Sequence, residues 1–131
     1  MKTETKLLVS GAAVVGLLSI SAFTLLVYHL VSFTIGQRHV ARGHAHLQQQ
    51  RYDAAIPEYT RALQCSIGTS SRAYVLASRG LCEARRQNGR QDDAIGDLSA
   101  ALRLNDRIAY VYLERGTLHA NRGNYDAAWK D

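Results

Sequence analysis

The 131-residue sequence has only two cysteines, one proline, one tryptophan and two phenylalanines. Two cysteines cannot staple a small disulfide scaffold. A single proline beside ten glycines is not the composition of a disordered linker. Charge is missing over a long stretch, since no Asp, Glu, Lys or Arg stands between Lys6 and Arg38. The soluble remainder, residues 36–131, is too short for a barrel or a doubly wound sheet. It carries thirteen Arg and Lys130 against ten acidic side chains, a net charge of +4. An excess that small and evenly spread does not call for nucleic acid as a partner. No Gly-rich phosphate loop, nucleophile–base pair or paired-carboxylate arrangement is present, so neither enzymatic activity nor a cofactor is expected.

What is present begins with the apolar run from Leu7 to Ile35. About twenty helical residues cross a hydrocarbon core of ~30 Å. The run has length to spare, and the surplus can tilt or reach the headgroups. Tyr28 and His29 suit the far interface, where amphipathic rings are tolerated. The reading is therefore a transmembrane helix over residues 7–35, behind a polar tail of residues 1–6. The alternatives are a cleaved secretory signal, cut after Ser19-Ile20-Ser21 or Ala22, and a buried core helix. The signal fits less well because Phe23 to Ile35 stay almost wholly apolar, past the roughly 7–15 residues of a signal's apolar region. Lys2, Lys6 and the terminal amine face Arg38, Arg42 and Arg51 across the span, and the reading leans to the short tail lying in the cytoplasm.

Residues 36–131 repeat themselves. Arg-Gly recurs at Arg42-Gly43, Arg79-Gly80 and Arg115-Gly116, spaced by 37 and 36 residues. Each is followed by an acid and alanine: Tyr52-Asp53-Ala54-Ala55, Gln91-Asp92-Asp93-Ala94 and Tyr125-Asp126-Ala127-Ala128. Two units continue into Tyr59 with Ala62-Leu63, and Leu98 with Ala101-Leu102. Helix formers with apolar residues three and four apart lead up to the glycines. Asn88-Gly89 and Gly123-Asn124 supply left-handed residues that end a helix. Asp53, Asp92 or Asp93, and Asp126 then stand where a second helix starts, as acceptors for its free amides. Pro57 falls within about a turn of such a start. Gly43 and Ala55 are small enough to let two helices approach. One antiparallel pair cannot bury its own apolar face, but stacked pairs can.

This pattern resembles the tetratricopeptide repeat. The family's small residue of the first helix matches Gly43, Gly80 and Gly116. Its central alanine of the second helix matches Ala55, Ala94 and Ala128. Its aromatic matches Tyr59, with Leu98 in its place, and its late alanine matches Ala62 and Ala101. The resemblance implies an all-α chain: a transmembrane helix, then antiparallel pairs stacked as a short α-solenoid over about 36–69, 72–108 and 109–131. The departures are the absent terminal proline, an arginine before each glycine, and two extra residues within Ala84–Gln91. The third unit stops early in its second helix. A fragment of a longer protein is expected, the alternative being an end covered by another copy or a partner.

The resemblance further implies a membrane-anchored scaffold whose first helices line a concave groove for a protein or peptide. The groove positions are Val40, His44 and Gln48; Tyr74, Leu81 and Arg85; and Tyr110, Leu113, Thr117 and Asn121. A clamp for a terminal carboxylate is not expected, because Val40, His44, Ser78, Tyr110 and Glu114 hold those places. The second and third readings are a structural module that self-associates through its unfinished end, and an accessory domain of a longer protein cut at residue 131. His39, His44 and His46 are read as solvated or groove-facing and not as metal ligands, since no carboxylate or cysteine stands at ligand spacing. Cys65 and Cys82 are read as small buried hydrophobes, a bond between them needing an oxidising compartment. Arg42, Arg79 and Arg115 are read as stems covering apolar surface, with heads in water or paired to acids. A ladder for an acidic partner is the alternative.

Overall fold

The computed structural model of the protein describes residues 2–86 and 90–131. The chain divides into two units, Met1–Ser32 and Phe33–Asp131. All regular structure among the described residues is helical: α1 (Lys2–Gln48), α2 (Tyr52–Gln64), α3 (Thr69–Arg85), α4 (Gln91–Leu104), α5 (Ala109–Asn121) and α6 (Tyr125–Ala128).

The first unit holds the apolar part of α1. Among its described side chains Leu18, Phe23 and Leu25 are exposed by 63, 66 and 61 %. The helix is long and apolar enough to cross a membrane. Ser19, Ser21 and Thr24 each donate to a carbonyl three residues back at 2.8 Å. Such back-bonding satisfies those three hydroxyls without water.

The sequence reading ends one helix at Ile35 and starts another. The structure instead assigns a single α1 to Gln48. No proline interrupts it, and Gly36 serves close approach, because a Cβ there would lie 2.7 Å from Ile67 and 2.8 Å from Cys65. A Cβ on Gly43 would lie 2.6 Å from the Tyr59 ring. Later residues of α1 thus meet earlier residues of α2, so the two run antiparallel. Gly80 repeats the contact, its missing Cβ pointing 3.1 Å from the Ala94 carbonyl, Asp97 and Leu98.

Two apolar clusters hold the second unit. Ala55, Tyr59 and Ala62 pack with Val75 and Cys82 between α2 and α3, and Val40 and Leu47 of α1 lie against them. Ala73 and Ala77 of α3 pack with Ala94, Leu98 and Ala101 of α4, and with Val111 and Leu118 of α5. Tyr59, Leu98, Ala55, Ala62, Ala94 and Ala101 are wholly inaccessible. Each large side chain so buried contributes about 1.5–3 kcal/mol of transfer free energy.

The connections follow local chemistry. Three residues join α1 to α2 and α5 to α6, whereas five join α3 to α4, where the sequence carries its extra pair. Asn88-Gly89 lies outside the described residues. Gly123 takes φ +74°, as its place after a helix requires. Gln50 takes φ +56°, which no turn residue announced. The helix starts depart from expectation. Arg51 and Arg90 occupy the cap positions of α2 and α4, and neither helix has a side-chain cap hydrogen bond. Asp53, Asp92, Asp93 and Asp126 sit within first turns, where they favour the helix dipole without capping it. The side chain that caps is Asn124, which accepts from the Ala127 amide at 3.4 Å. Pro57 lies inside α2 on an exposed face, past the first turn.

Candidate functional site

Two tyrosines from α3 and α5 form the centre of the candidate surface. Tyr74 is 49 % and Tyr110 43 % exposed. Burial pushes the Tyr110 hydroxyl upward in pKa, and the nearby Tyr74 and Glu114 add to the shift. Beside them, Arg85 Nη2 donates to Glu114 Oε1 at 3.0 Å, joining α3 to α5. Below lies Tyr59, whose hydroxyl shares a hydrogen bond with His44 Nδ1 at 3.1 Å. The two rings stand edge to face, 5.5 Å apart. Burial is the main cause that holds the Tyr59 phenol up at about 12, with a hydrogen bond to Ser78 opposing it.

The groove residues of the sequence reading therefore divide. Tyr74 and Glu114 act electrostatically on Tyr110, Arg85 bonds Glu114, and His44 bonds Tyr59. Gln48 and Asn121 are exposed and Leu81 half-buried. Val40 packs against the α2–α3 core. Leu113 and Thr117 border a different opening, shared with Ala128 and Asp131.

The arginines before the glycines are clips. Arg79 grips Asp97 with two hydrogen bonds of 2.7 Å, and its Nη1 donates to Thr60 at 3.2 Å. Arg115 grips Asp131 in the same bidentate way, with Nε to Oδ2 at 2.7 Å, and its Nη1 donates to Ser99 at 3.0 Å. Arg79 joins α3 to an acid on α4 and a hydroxyl on α2, and Arg115 joins α5 to an acid just past α6 and a hydroxyl on α4. Such paired bonds are the stronger kind of charged contact. Arg115 also lies over the Tyr112 ring, 5.8 Å from its centre. Arg42 is exposed, and the matching acid, Glu58, bonds His39 at 2.8 Å and Arg61 at 2.7 Å. The acids were legible: Glu58, Asp97 and Asp131 each stand three residues after the repeat alanine, and Thr60 and Ser99 five after it.

The histidines are not simply solvated. His39 is engaged by Glu58, His44 by Tyr59, and His46 Nδ1 is buried with no partner in the protein. Arg86 Nε lies 3.0 Å from Glu83 Oε2, an ion pair without hydrogen-bond geometry. Among the described residues no group of three or more His, Cys, Asp or Glu is placed to hold a metal ion. Cys65 and Cys82 are free thiols, Cys82 buried and Cys65 half-buried.

Glu58 gives a pH dependence. The hydrogen bond from His39 is the largest of the effects that lower its pKa below the ordinary 4.5, against the opposing cost of burial. A depressed folded-state pKa contributes stability above the unfolded value, lost as pH falls through the folded one. Stability should therefore decline below about pH 4.5. Glu58→Gln should flatten that acid limb in chemical melts read by circular dichroism, and an unchanged limb would clear Glu58 of the effect.

No family model matches the chain, and no curated protein matches it.

Proposed function

We propose that the chain is a single-pass membrane protein in which tetratricopeptide-like helix pairs, stacked as a short solenoid, bind a protein or peptide segment. The observation that carries this reading is the pairing of half-exposed Tyr74 and Tyr110 on neighbouring helices beside the Arg85–Glu114 bridge. Rigid aromatic rings offer contact area at low entropic cost, and the charged pair beside them fixes orientation. Support for the stacking comes from the recurrence of one contact. Gly43 and Gly80 each admit the helix that follows, at the same place in the repeat. Support for the anchor comes from the length and apolar character of α1 and from the exposure of its described apolar side chains, Leu18, Phe23 and Leu25 among them.

The test is capture from detergent-solubilised membranes with full-length protein. Wild type should retain a partner that Tyr74→Glu with Tyr110→Glu releases, at unchanged helicity. Retention by the doubly charged variant would reject the surface. The anchor is checked in the same preparation: the chain should resist alkaline extraction and keep its Met1–Ile35 segment by mass spectrometry. A chain cut near Ser21 or Ala22 would identify a signal instead.

A further inference from the structure

The fold sorts a charge that the sequence spreads evenly. At one end of the second unit the chain enters at Gly36, where a Cβ would meet Cys65 and Ile67 of the α2–α3 connection. Arg72, in the first turn of α3, donates to the Leu63 and Cys65 carbonyls at 3.0 and 3.4 Å. Ser70 shares an opening with residues 102–107, where α4 ends and the next connection begins. Residues 33–38, 63–72 and 102–108 therefore gather at this end, and they hold four arginines against Asp106 alone. Residues 49–54, 83–86, 90–93 and 121–126 make the other end, with five arginines and five acids. There Asp53 pairs with Arg86, Asp93 with Arg90 and Asp92 with Arg122. At the first end, Arg38, Arg72, Arg103 and Arg107 have no ion pair among the described residues. Helices α3 and α5, which start there, carry no acid in their first turns, whereas α2, α4 and α6 do. Apolar side chains stand among these arginines, since Phe33, Ile35 and Leu104 are all exposed.

We propose that this end of the second unit rests on a bilayer and binds the phosphates of anionic lipids through Arg38, Arg103 and Arg107. The proposal rests on the membrane anchor proposed above. Phe33 and Ile35 belong both to this end and to the apolar run, so a chain held by that run brings the arginines to the headgroups. An exposed guanidinium meets a phosphate with two parallel hydrogen bonds, and apolar neighbours settle at the acyl boundary. Arg103 and Arg107 are the informative pair. They lie far along the chain from the apolar run and reach lipid only because α3 and α4 carry them back to it.

The test titrates full-length protein in neutral maltoside micelles with phosphatidylglycerol, phosphatidylcholine, inorganic phosphate or a polyglutamate peptide, and counts bound molecules by native mass spectrometry. Phosphatidylglycerol should bind and saturate, and phosphatidylcholine should not displace it. Arg103→Gln with Arg107→Gln should weaken binding about twenty-five-fold, at about fivefold for each surface arginine. Both side chains are exposed, so helicity and melting should stay those of the wild type. Arg51→Gln with Arg90→Gln removes the same charge from the other end. In about 0.15 M salt, which screens distant charges, that pair should change the affinity less than about twofold. An equal loss in both pairs would overturn the proposal, because net charge alone would then explain the binding. So would binding of phosphatidylcholine as tight as that of phosphatidylglycerol. Displacement of the lipid by inorganic phosphate or by polyglutamate at matching concentration would also overturn it, making a free anion or an acidic protein the occupant. Alkaline extraction reads the anchor separately. A chain released from membranes yet selective for phosphatidylglycerol would reject the anchor and leave the lipid site standing; a retained chain without that selectivity would reject the lipid site alone.

Discussion

Leu98→Ala should cost the second unit about 2–5 kcal/mol, the range for emptying a fully enclosed leucine site. Leu98 has no accessible surface and its Cγ lies 3.1 Å from where a Gly80 Cβ would be. The methyl groups lost there leave a space between α3 and α4 that neither helix can close, because Gly80 has no side chain to move into it. Leu104 at the end of α4 is 39 % exposed, and its truncation should cost less than about 1 kcal/mol. Urea melts of the full-length protein in micelles, followed at the helical band, compare the two. Equal midpoints would mean that the α3–α4 contact is not the centre of the fold.

Asp97→Ala should be nearly as damaging, at about 2–4 kcal/mol, because it strands Arg79 with its donors unpaired. The figure lies below that for a fully enclosed pair, since the Arg79 side chain keeps 24 % of its exposure. Burial alone would lower the arginine's proton affinity, yet the hydrogen bonds to Asp97 outweigh it and raise its pKa. Replacing both residues, Arg79→Met with Asp97→Leu, should recover most of the loss, as the charge and its partner then leave together. Arg85 and Glu114, 48 and 29 % exposed, make a contact at 3.0 Å worth no more than about 1 kcal/mol. A double-mutant cycle measures each coupling. Additive losses at Arg79 and Asp97 would reduce that clip to a surface contact.

The recurrence of glycine and alanine made the buried faces legible, because close approach leaves few residue types at those positions. Gly43, Gly80, Ala55 and Ala94 all lie where two helices touch. The acid three residues after each alanine was equally visible, but an acid on a helix is ordinary until its partner is known. Arg79 and Asp97 are eighteen residues apart and meet only through packing. The extent of α1 was harder to read. The composition changes from apolar to charged at Gly36, yet one helix is assigned across it. Gln50 gave no signal for its left-handed turn. The aspartates near the helix starts suggested caps, yet Arg51 and Arg90, two or three residues ahead of them, hold the cap positions. The tyrosine face was accessible because Tyr74 and Tyr110 hold the same register in successive units.

Cys82 has no surface at all, and burial holds its thiol up at about 11. At neutral pH almost none of it is the reactive anion, so alkylating agents and peroxide find it only when α2 and α3 part. The side chain therefore keeps a chemical record of breathing: every molecule labelled there has opened at least once.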